Sequence, residues 1–247
     1  MRLTCIGTGD AFGSGGRFNT CFLVESGGCA LALDFGASSL VAMKRLKLHP
    51  NCLDGVMLSH LHGDHFGGLP FLMLDYQFAC ARTRPFTVIG PVGTQERLEA
   101  AMEVFFPGSP RNAWRFGFEV VDLPCETAHR FGPFTIKTHE VVHPSGAPAT
   151  GVRIADAQKC LAYSGDTAWT PALLDVARGA DLFISECFRL ADPPPNHLAL
   201  SVLEAHRAEL QTDRILLTHM SDEVLAAADE VAGRGYLIAH DGLVLDV

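Results

Sequence analysis

Basic residues are scarce in this chain. Lys and Arg number 19 against 28 Asp and Glu, a formal net charge of −9 with histidine neutral. Proteins that hold a long polyanion neutralise many phosphates with Lys and Arg, so this balance argues against an extended nucleic-acid groove. Arg82, Arg84, Arg111 and Arg115 are the candidates for a local basic patch, but arginines scattered over a solvated surface explain them more simply. No Cys-x-x-Cys pair occurs among the eight dispersed cysteines, which removes the usual sign of a zinc knuckle or redox centre. In a reducing compartment they read as small apolar side chains, Cys187 included. No apolar run approaches the ~20 residues of a membrane span, and Met1-Arg2-Leu3-Thr4-Cys5-Ile6-Gly7 lacks the apolar stretch of a signal peptide. A cytoplasmic protein with no membrane partner is therefore expected. Internal repeats and low-complexity tracts are also missing.

What is present is enough apolar material for a sizeable core. The 247 residues are 48% hydrophobic and 19% charged, which fits one globular domain over 1–247. Strand-like runs at Leu3 to Ile6, Thr20 to Glu25 and Cys29 to Leu33 surround the hairpin signal Ser26-Gly27-Gly28. Further strands are expected at 56–58, 87–89, 116–121, 134–138, 151–154, 160–163, 182–184 and 215–217. Helical patterns fall at 38–48, 69–81, 94–106, 171–178, 198–210 and 223–232. Two mixed sheets covered by outer helices satisfy this order, an α/β (α+β) architecture.

The densest chemistry follows the apolar run Gly55-Val56-Met57-Leu58. There His60, His62, Asp64 and His65 fall within six positions. Neutral imidazole and carboxylate are good ligands for zinc and its first-row neighbours. A tight turn after a strand lets His60 and His62 converge on one ion while Asp64 and His65 face a second. Gly63 and the Gly67-Gly68 pair give such a turn its backbone freedom. Downstream, His143, Asp166 and His219 each end a strand-like segment, where a sheet fixes side chains and loops stay free to vary. As a set, the seven read as a metal centre.

These motifs resemble the metallo-β-lactamase superfamily, whose signature is His-x-His-x-Asp-His followed by a later His, an Asp and a final His. The resemblance covers most of the chain, from Gly7-Thr8-Gly9 through Leu33-Asp34-Phe35-Gly36 to the C-terminal strands. It implies a four-layer αββα sandwich with a dinuclear site at one edge. His60, His62 and His143 would hold the first metal and Asp64, His65 and His219 the second, with Asp166 bridging them. Asp34 is similar to the aspartate that steadies the site from behind. The wording of 60–70, of Val88-Ile89-Gly90-Pro91-Val92-Gly93 and of Ser164-Gly165-Asp166-Thr167 is closest to the ribonuclease Z and phosphodiesterase branch.

That branch also implies a role for His197, which resembles a histidine that contacts the scissile phosphate or aids the leaving group. Its plain alternative is a residue near the start of a helix, behind the loop stiffened by Pro193-Pro194-Pro195. Where ribonuclease Z proteins carry His-Glu-Ala-Thr, this chain reads Ser185-Glu186-Cys187-Phe188. One histidine of that segment is thus missing, while Glu186 remains to orient His197. The Gly/Pro-rich basic arm that grips transfer RNA in many of those nucleases is absent too. Phe105, Phe106, Trp114, Phe116 and Phe118 read first as core aromatics, with a cleft wall or a dimer contact as the alternative.

The expectation is a hydrolase using two divalent ions, zinc foremost with manganese or iron also suited. The ions would generate a hydroxide near neutral pH to attack a small or cyclic phosphodiester. Asp64, Asp166, His197 and Glu186 are the catalytic candidates, and the partner is a small anionic substrate. Alternatives are a transfer RNA 3′-processing endonuclease, a lactone, β-lactam or thioester hydrolase, and a non-enzymatic metal-dependent binding protein. A homodimer is compatible with the composition.

Overall fold

The computed structural model describes residues 1–192 and 194–247; Pro193, within the expected stiff loop, lies outside the described residues. Its first half runs β1 (Arg2–Gly7), β2 (Cys21–Ser26), β3 (Cys29–Leu33), α1 (Ser39–Arg45), β4 (Gly55–Met57), α2 (Gly63–Phe66), α3 (Leu69–Leu74), β5 (Phe86–Gly90), α4 (Thr94–Phe105) and β6 (Phe118–Asp122). The second half runs β7 (Ala128–Phe131), β8 (Phe134–Val141), β9 (Ala149–Ala155), β10 (Cys160–Tyr163), α5 (Ala172–Ala177), β11 (Leu182–Glu186), α6 (Leu200–Ala205), β12 (Ile215–Thr218), α7 (Asp222–Ala226), α8 (Ala228–Gly233), β13 (Leu237–Ile238) and β14 (Val244–Asp246).

The strands form two seven-stranded sheets, ordered β14-β1-β2-β3-β4-β5-β6 and β13-β12-β11-β10-β9-β8-β7. Side chains alternate across a strand, so a strand buried on both faces feeds two cores at once. On β2, Phe22 and Val24 point into the core between the sheets, while Cys21 and Leu23 join the outer core under α1, α3 and α4. On β12, Leu216 faces the other sheet, and Ile215 and Leu217 pack beneath α5 to α8. Three apolar layers between four layers of structure are the αββα sandwich.

Topology brings the chemistry to one edge. Strands β3 and β4 are parallel, as are β10, β11 and β12. Because β8 and β10 both run antiparallel to β9, β8 points the same way as β10. By the same step through β2, β1 aligns with β3. The segments carrying Asp34, His60, His143, Asp166, Glu186 and His219 therefore all leave carboxyl ends of strands, where ligands gather in α/β sheets.

Several element limits differ from the sequence pattern. The expected helix over 223–232 breaks at Ala227, whose φ −100 and ψ 11 lie off the helical values, giving α7 and α8. The 198–210 helix shrinks to Leu200–Ala205. The helix expected over 69–81 passes from α3 into a π-helical turn at Asp75–Ala79. Strands β7, β13 and β14 are additional; each has four residues or fewer, too short to show an apolar alternation.

Arg82 corrects the surface reading of the arginines: it is fully buried. Its Nε donates to the Arg84 carbonyl at 2.9 Å and its Nη1 to Asn51 Oδ1 at 2.9 Å. The guanidinium carbon lies 4.5 Å from the Tyr76 ring centroid and 5.2 Å from that of Phe86. Hydrogen bonds and aromatic faces take the place of water, which makes burial of the charge tolerable. Arg84 is paired with Asp54 at 2.9 Å. Arg82→Ala is expected to cost about 3 kcal/mol by orphaning buried acceptors. A urea midpoint within error of the parent protein would refute that reading.

Candidate metal centre

The site begins with a strained residue. Asp34 follows β3 with φ 58, in the left-handed region that non-glycine residues avoid, and its carboxylate is wholly buried. Oδ1 accepts from the Ser59 amide at 2.7 Å, and Oδ2 accepts from Ser59 Oγ at 2.7 Å. Oδ2 also lies 2.8 Å from His65 Nδ1. Ser59 Oγ sits 3.0 Å from His60 Nδ1, and the Asn196 carbonyl 2.9 Å from His143 Nδ1. Each contact ties up one ring nitrogen and leaves the other facing inward, the usual support of metal-ligating histidines. Ser59 and Asn196 were not singled out in the sequence; Ser59 directly precedes the first histidine, the one local hint it offered.

The inward atoms fall into two groups. His60, His62 and His143 form one, and Asp64, His65, Asp166 and His219 the other, with the donor atoms in each within 4.8 Å of one another. Asp166 Oδ2 joins them, 3.9 Å from His60 Nε2, 4.0 Å from His143 Nε2, 3.3 Å from His65 Nε2 and 3.2 Å from His219 Nε2. His62 Nδ1 and His143 Nε2 approach to 3.1 Å. His219, like Asp34, holds a positive φ, 54. Within the described chain, buried His60 Nε2, His65 Nε2, His219 Nδ1 and Asp166 Oδ1 have no hydrogen-bond partner. Buried polar atoms without partners are costly, and an oxygen and nitrogen donor set without sulfur suits divalent first-row ions. The residues fit such ions.

Electrostatics agree with the geometry. Burial and the neighbouring His65 drive the His60 imidazole well below its ordinary value, and burial likewise lowers His143. Burial would also lower His65 and His219, but the carboxylates around them prevail. Asp166, Asp64 and Asp34 lift His65 well above its usual range, and Asp166 and Asp64 raise His219 to about 9. Burial opposes ionisation of Asp166, yet His219 and His65 hold it well below the carboxylate range. Asp166 thus favours its ionised form and calls for positive charge, which protons on His65 and His219 supply when no cation does.

Beside the two groups, Glu186 is completely buried at the end of β11. Its carboxylate accepts from the Thr167 amide and from the Leu198 amide at 3.2 Å, and contacts His197 Nδ1 at 3.1 Å. Burial pushes Glu186 up. His197 resists its own burial and is raised by the hydrogen bond and charge of Glu186. The His197 ring stacks on His219 at 5.6 Å and meets His143 at 5.0 Å. Phe188, in the place of the threonine of His-Glu-Ala-Thr, packs on His197 at 5.1 Å.

All seven sequence-predicted ligands, with His197 and Glu186, meet at this edge. The aromatic segment does not act as a unit: Phe116 is buried in the outer core, Trp114 and Phe118 pack against it, and Phe105 is half exposed. Cys187 is buried beside Glu186, and burial, then the Glu186 charge, pushes its thiol up to about 12. The reactive thiolate is accordingly absent at pH 8. Iodoacetamide is expected to leave Cys187 unlabelled until urea unfolds the chain, and native-state labelling by peptide mass mapping would contradict this.

A family model described as anti-Pycsar protein Apyc1 matches residues 1–241. The chain belongs to the Apyc1 family. A protein of Mycobacterium leprae (strain TN), described as uncharacterized, is 36% identical over 198 residues, spanning 77% of this chain and 66% of that protein. The match thus takes in about two thirds of that relative's length. A ribonuclease Z of Mycobacterium sp. (strain KMS) is 26% identical over 227 residues, covering 83% of this chain and 76% of the enzyme. The crystal structure of the metallo-beta-lactamase fold protein YhfI from Bacillus subtilis superposes with a TM-score of 0.80 at 24% identity, covering 99% of this chain and 98% of the other. This Apyc1 family member accordingly has the metallo-β-lactamase fold and is related to metal-dependent hydrolases. No helix among its described residues is long and apolar enough to cross a membrane.

Proposed function

We propose that this chain is a dinuclear metal-dependent phosphodiesterase acting on a small or cyclic phosphodiester. The observation that carries this reading is the pairing of buried Glu186 with part-exposed His197, 3.1 Å apart and set beside the two ligand groups. His60, His62 and His143 would hold one ion and Asp64, His65 and His219 the other, with Asp166 between them. Two bound divalent ions would supply an activated water and offset charge on the nonbridging phosphate oxygens. The chain's own groups do the rest. Asp64, half-buried, accepts a hydrogen bond from the attacking water and orients it. His197, held by Glu186 through Nδ1, offers Nε2 as the proton donor to the departing oxygen. Small substrates are favoured over transfer RNA by the −9 charge and by the burial of Arg82, which removes one cation from the candidate basic patch.

The test is hydrolysis of bis(p-nitrophenyl) phosphate by protein loaded with zinc or manganese, beside Asp64→Ala and a chromogenic β-lactam. Turnover of the diester that disappears in the variant is the expected result. Opening of the lactam with an inert diester would replace the reading by acyl hydrolysis, and inertness toward both would leave ligand binding.

A further inference from the structure

Beside the Glu186–His197 pair stands a residue without charge. Phe188 lies two positions beyond Glu186, half-buried, just past the end of β11. Its backbone is clamped from both sides. The Cys187 amide donates to the Thr218 carbonyl at 3.0 Å, next to His219, and the Phe188 amide donates to the Leu198 carbonyl at 2.9 Å, next to His197. The residues that follow continue along the same partner: the Leu200 amide donates to the Arg189 carbonyl at 2.9 Å and the Ser201 amide to the Leu190 carbonyl at 3.0 Å. Phe188 is therefore held between the segments that carry the two histidines its ring meets.

That ring lies 5.1 Å from His197 at an interplanar angle of 31° and 6.2 Å from His219 at 46°. With His197 and His219 themselves 5.6 Å apart, the three rings close a triangle. Among the described residues, Glu186 gives the His197 side chain its one hydrogen bond, at Nδ1. Such a bond fixes a single ring atom and leaves the plane free to swing, so packing must set the direction of Nε2. His143, 5.0 Å away, and His219 are candidate ligands, placed to serve the ions. Phe188 is the remaining aromatic neighbour of His197 among the described residues, and its tilted contact is of the kind that flat rings prefer. A broad ring packed there resists rotation of the imidazole.

We infer that Phe188 is a positioning residue, which holds the His197 imidazole so that Nε2 faces the departing oxygen. The inference rests on the phosphodiesterase reading, in which the electron pair of the breaking P–O bond passes to the leaving oxygen and that oxygen takes the Nε2 proton. The experiment follows metal-loaded parent protein, Phe188→Leu, Phe188→Tyr, His197→Ala and the variant combining Phe188→Leu with His197→Ala. The substrates are methyl aryl phosphates whose leaving groups run from p-nitrophenol to the more basic p-methoxyphenol. Leucine keeps apolar bulk and loses the flat face; tyrosine keeps both. Misplacing a proton donor weakens the transition state alone, so kcat should fall with KM unchanged. Phe188→Leu is expected to lower kcat on the p-methoxyphenyl ester about ten- to a hundredfold, to leave the p-nitrophenyl ester near the parent rate, and to retain the parent's metal content. Phe188→Tyr should restore most of the rate. The combined variant should lose no more than His197→Ala alone, because a residue that acts through His197 then has nothing to position. Should the urea midpoint of Phe188→Leu collapse, Phe188→Met, equally apolar and without a ring, answers the same question. Parental rates in Phe188→Leu, a loss equal across the series, a further loss in the combined variant, or a change in KM alone overturns the inference and leaves the phosphodiesterase reading standing. So does a His197→Ala variant without leaving-group dependence, which removes the proton donor. A parent protein inert toward every diester overturns both.

Discussion

Asn at position 166 is expected to lower turnover at least about a thousandfold, a loss of about 4 kcal/mol at 1.36 kcal/mol per tenfold. The same change should cut bound metal from two equivalents to one or none. One oxygen of Asp166 lies within 4.0 Å of imidazole nitrogens from His60, His65, His143 and His219. Among the described residues, no other carboxylate reaches both ligand groups in this way. Asparagine keeps the shape and removes the negative charge that would hold two cations close together. Metal content by plasma emission and initial rates on one preparation test the claim, with the urea midpoint guarding against misfolding. Chelation is expected to lower the parent protein's unfolding midpoint, because an ion bound to the native state stabilises by about 4 kcal/mol when free at a thousand times its dissociation constant. Asp166→Asn should show much less of that difference. Full metal content or near-parental rates in the variant would remove Asp166 from the centre of the site.

The candidate cluster was legible because the segments that carry it follow strand-like runs and chain direction fixes which strand ends share an edge. His60 through His65 announce themselves by density alone, and His143, Asp166 and His219 by position. The supporting contacts were much less so. Ser59 reaches Asp34 across 25 residues, and Asn196 reaches His143 across 53, through a carbonyl that any residue could supply. Resemblance suggested Asp34, but the positive φ that aims its carboxylate is a property of the folded backbone. Arg82 misled for a similar reason: an arginine in a polar stretch reads as surface, and its acceptors include carbonyls of Arg84 and Pro85, which leave no trace in residue identity. Strand β7, Ala-His-Arg-Phe, lacks an apolar stripe and forms because Gly132 at φ 55 turns it back along β8. Local pattern specified the layers, whereas partners distant in sequence specified how the edge was finished.

His197→Ala is expected to slow cleavage of a diester with an alkoxide leaving group by about 10²–10⁴-fold, the range supplied by a positioned general acid. Loss on bis(p-nitrophenyl) phosphate should be far smaller, because p-nitrophenolate departs without a proton. The contrast follows from geometry. Glu186 holds Nδ1 at 3.1 Å and raises the imidazole's proton affinity, leaving Nε2 as the free donor. Glu186 is buried and fixed in turn by the amides of Thr167 and Leu198. Glu186→Gln keeps the shape and removes the charge, so it should reproduce part of the same leaving-group dependence. His197 also lies near His143 and Asp166, and near Glu186 and His219, in arrangements that could themselves grip a cation. Metal content separates the two roles: a general acid can be removed without loss of metal, whereas a ligand cannot. Equal losses on both substrates with metal retained would make His197 a phosphate clamp, and loss of an ion would make it a ligand. Only a deficit that grows with the basicity of the leaving group identifies it as the acid.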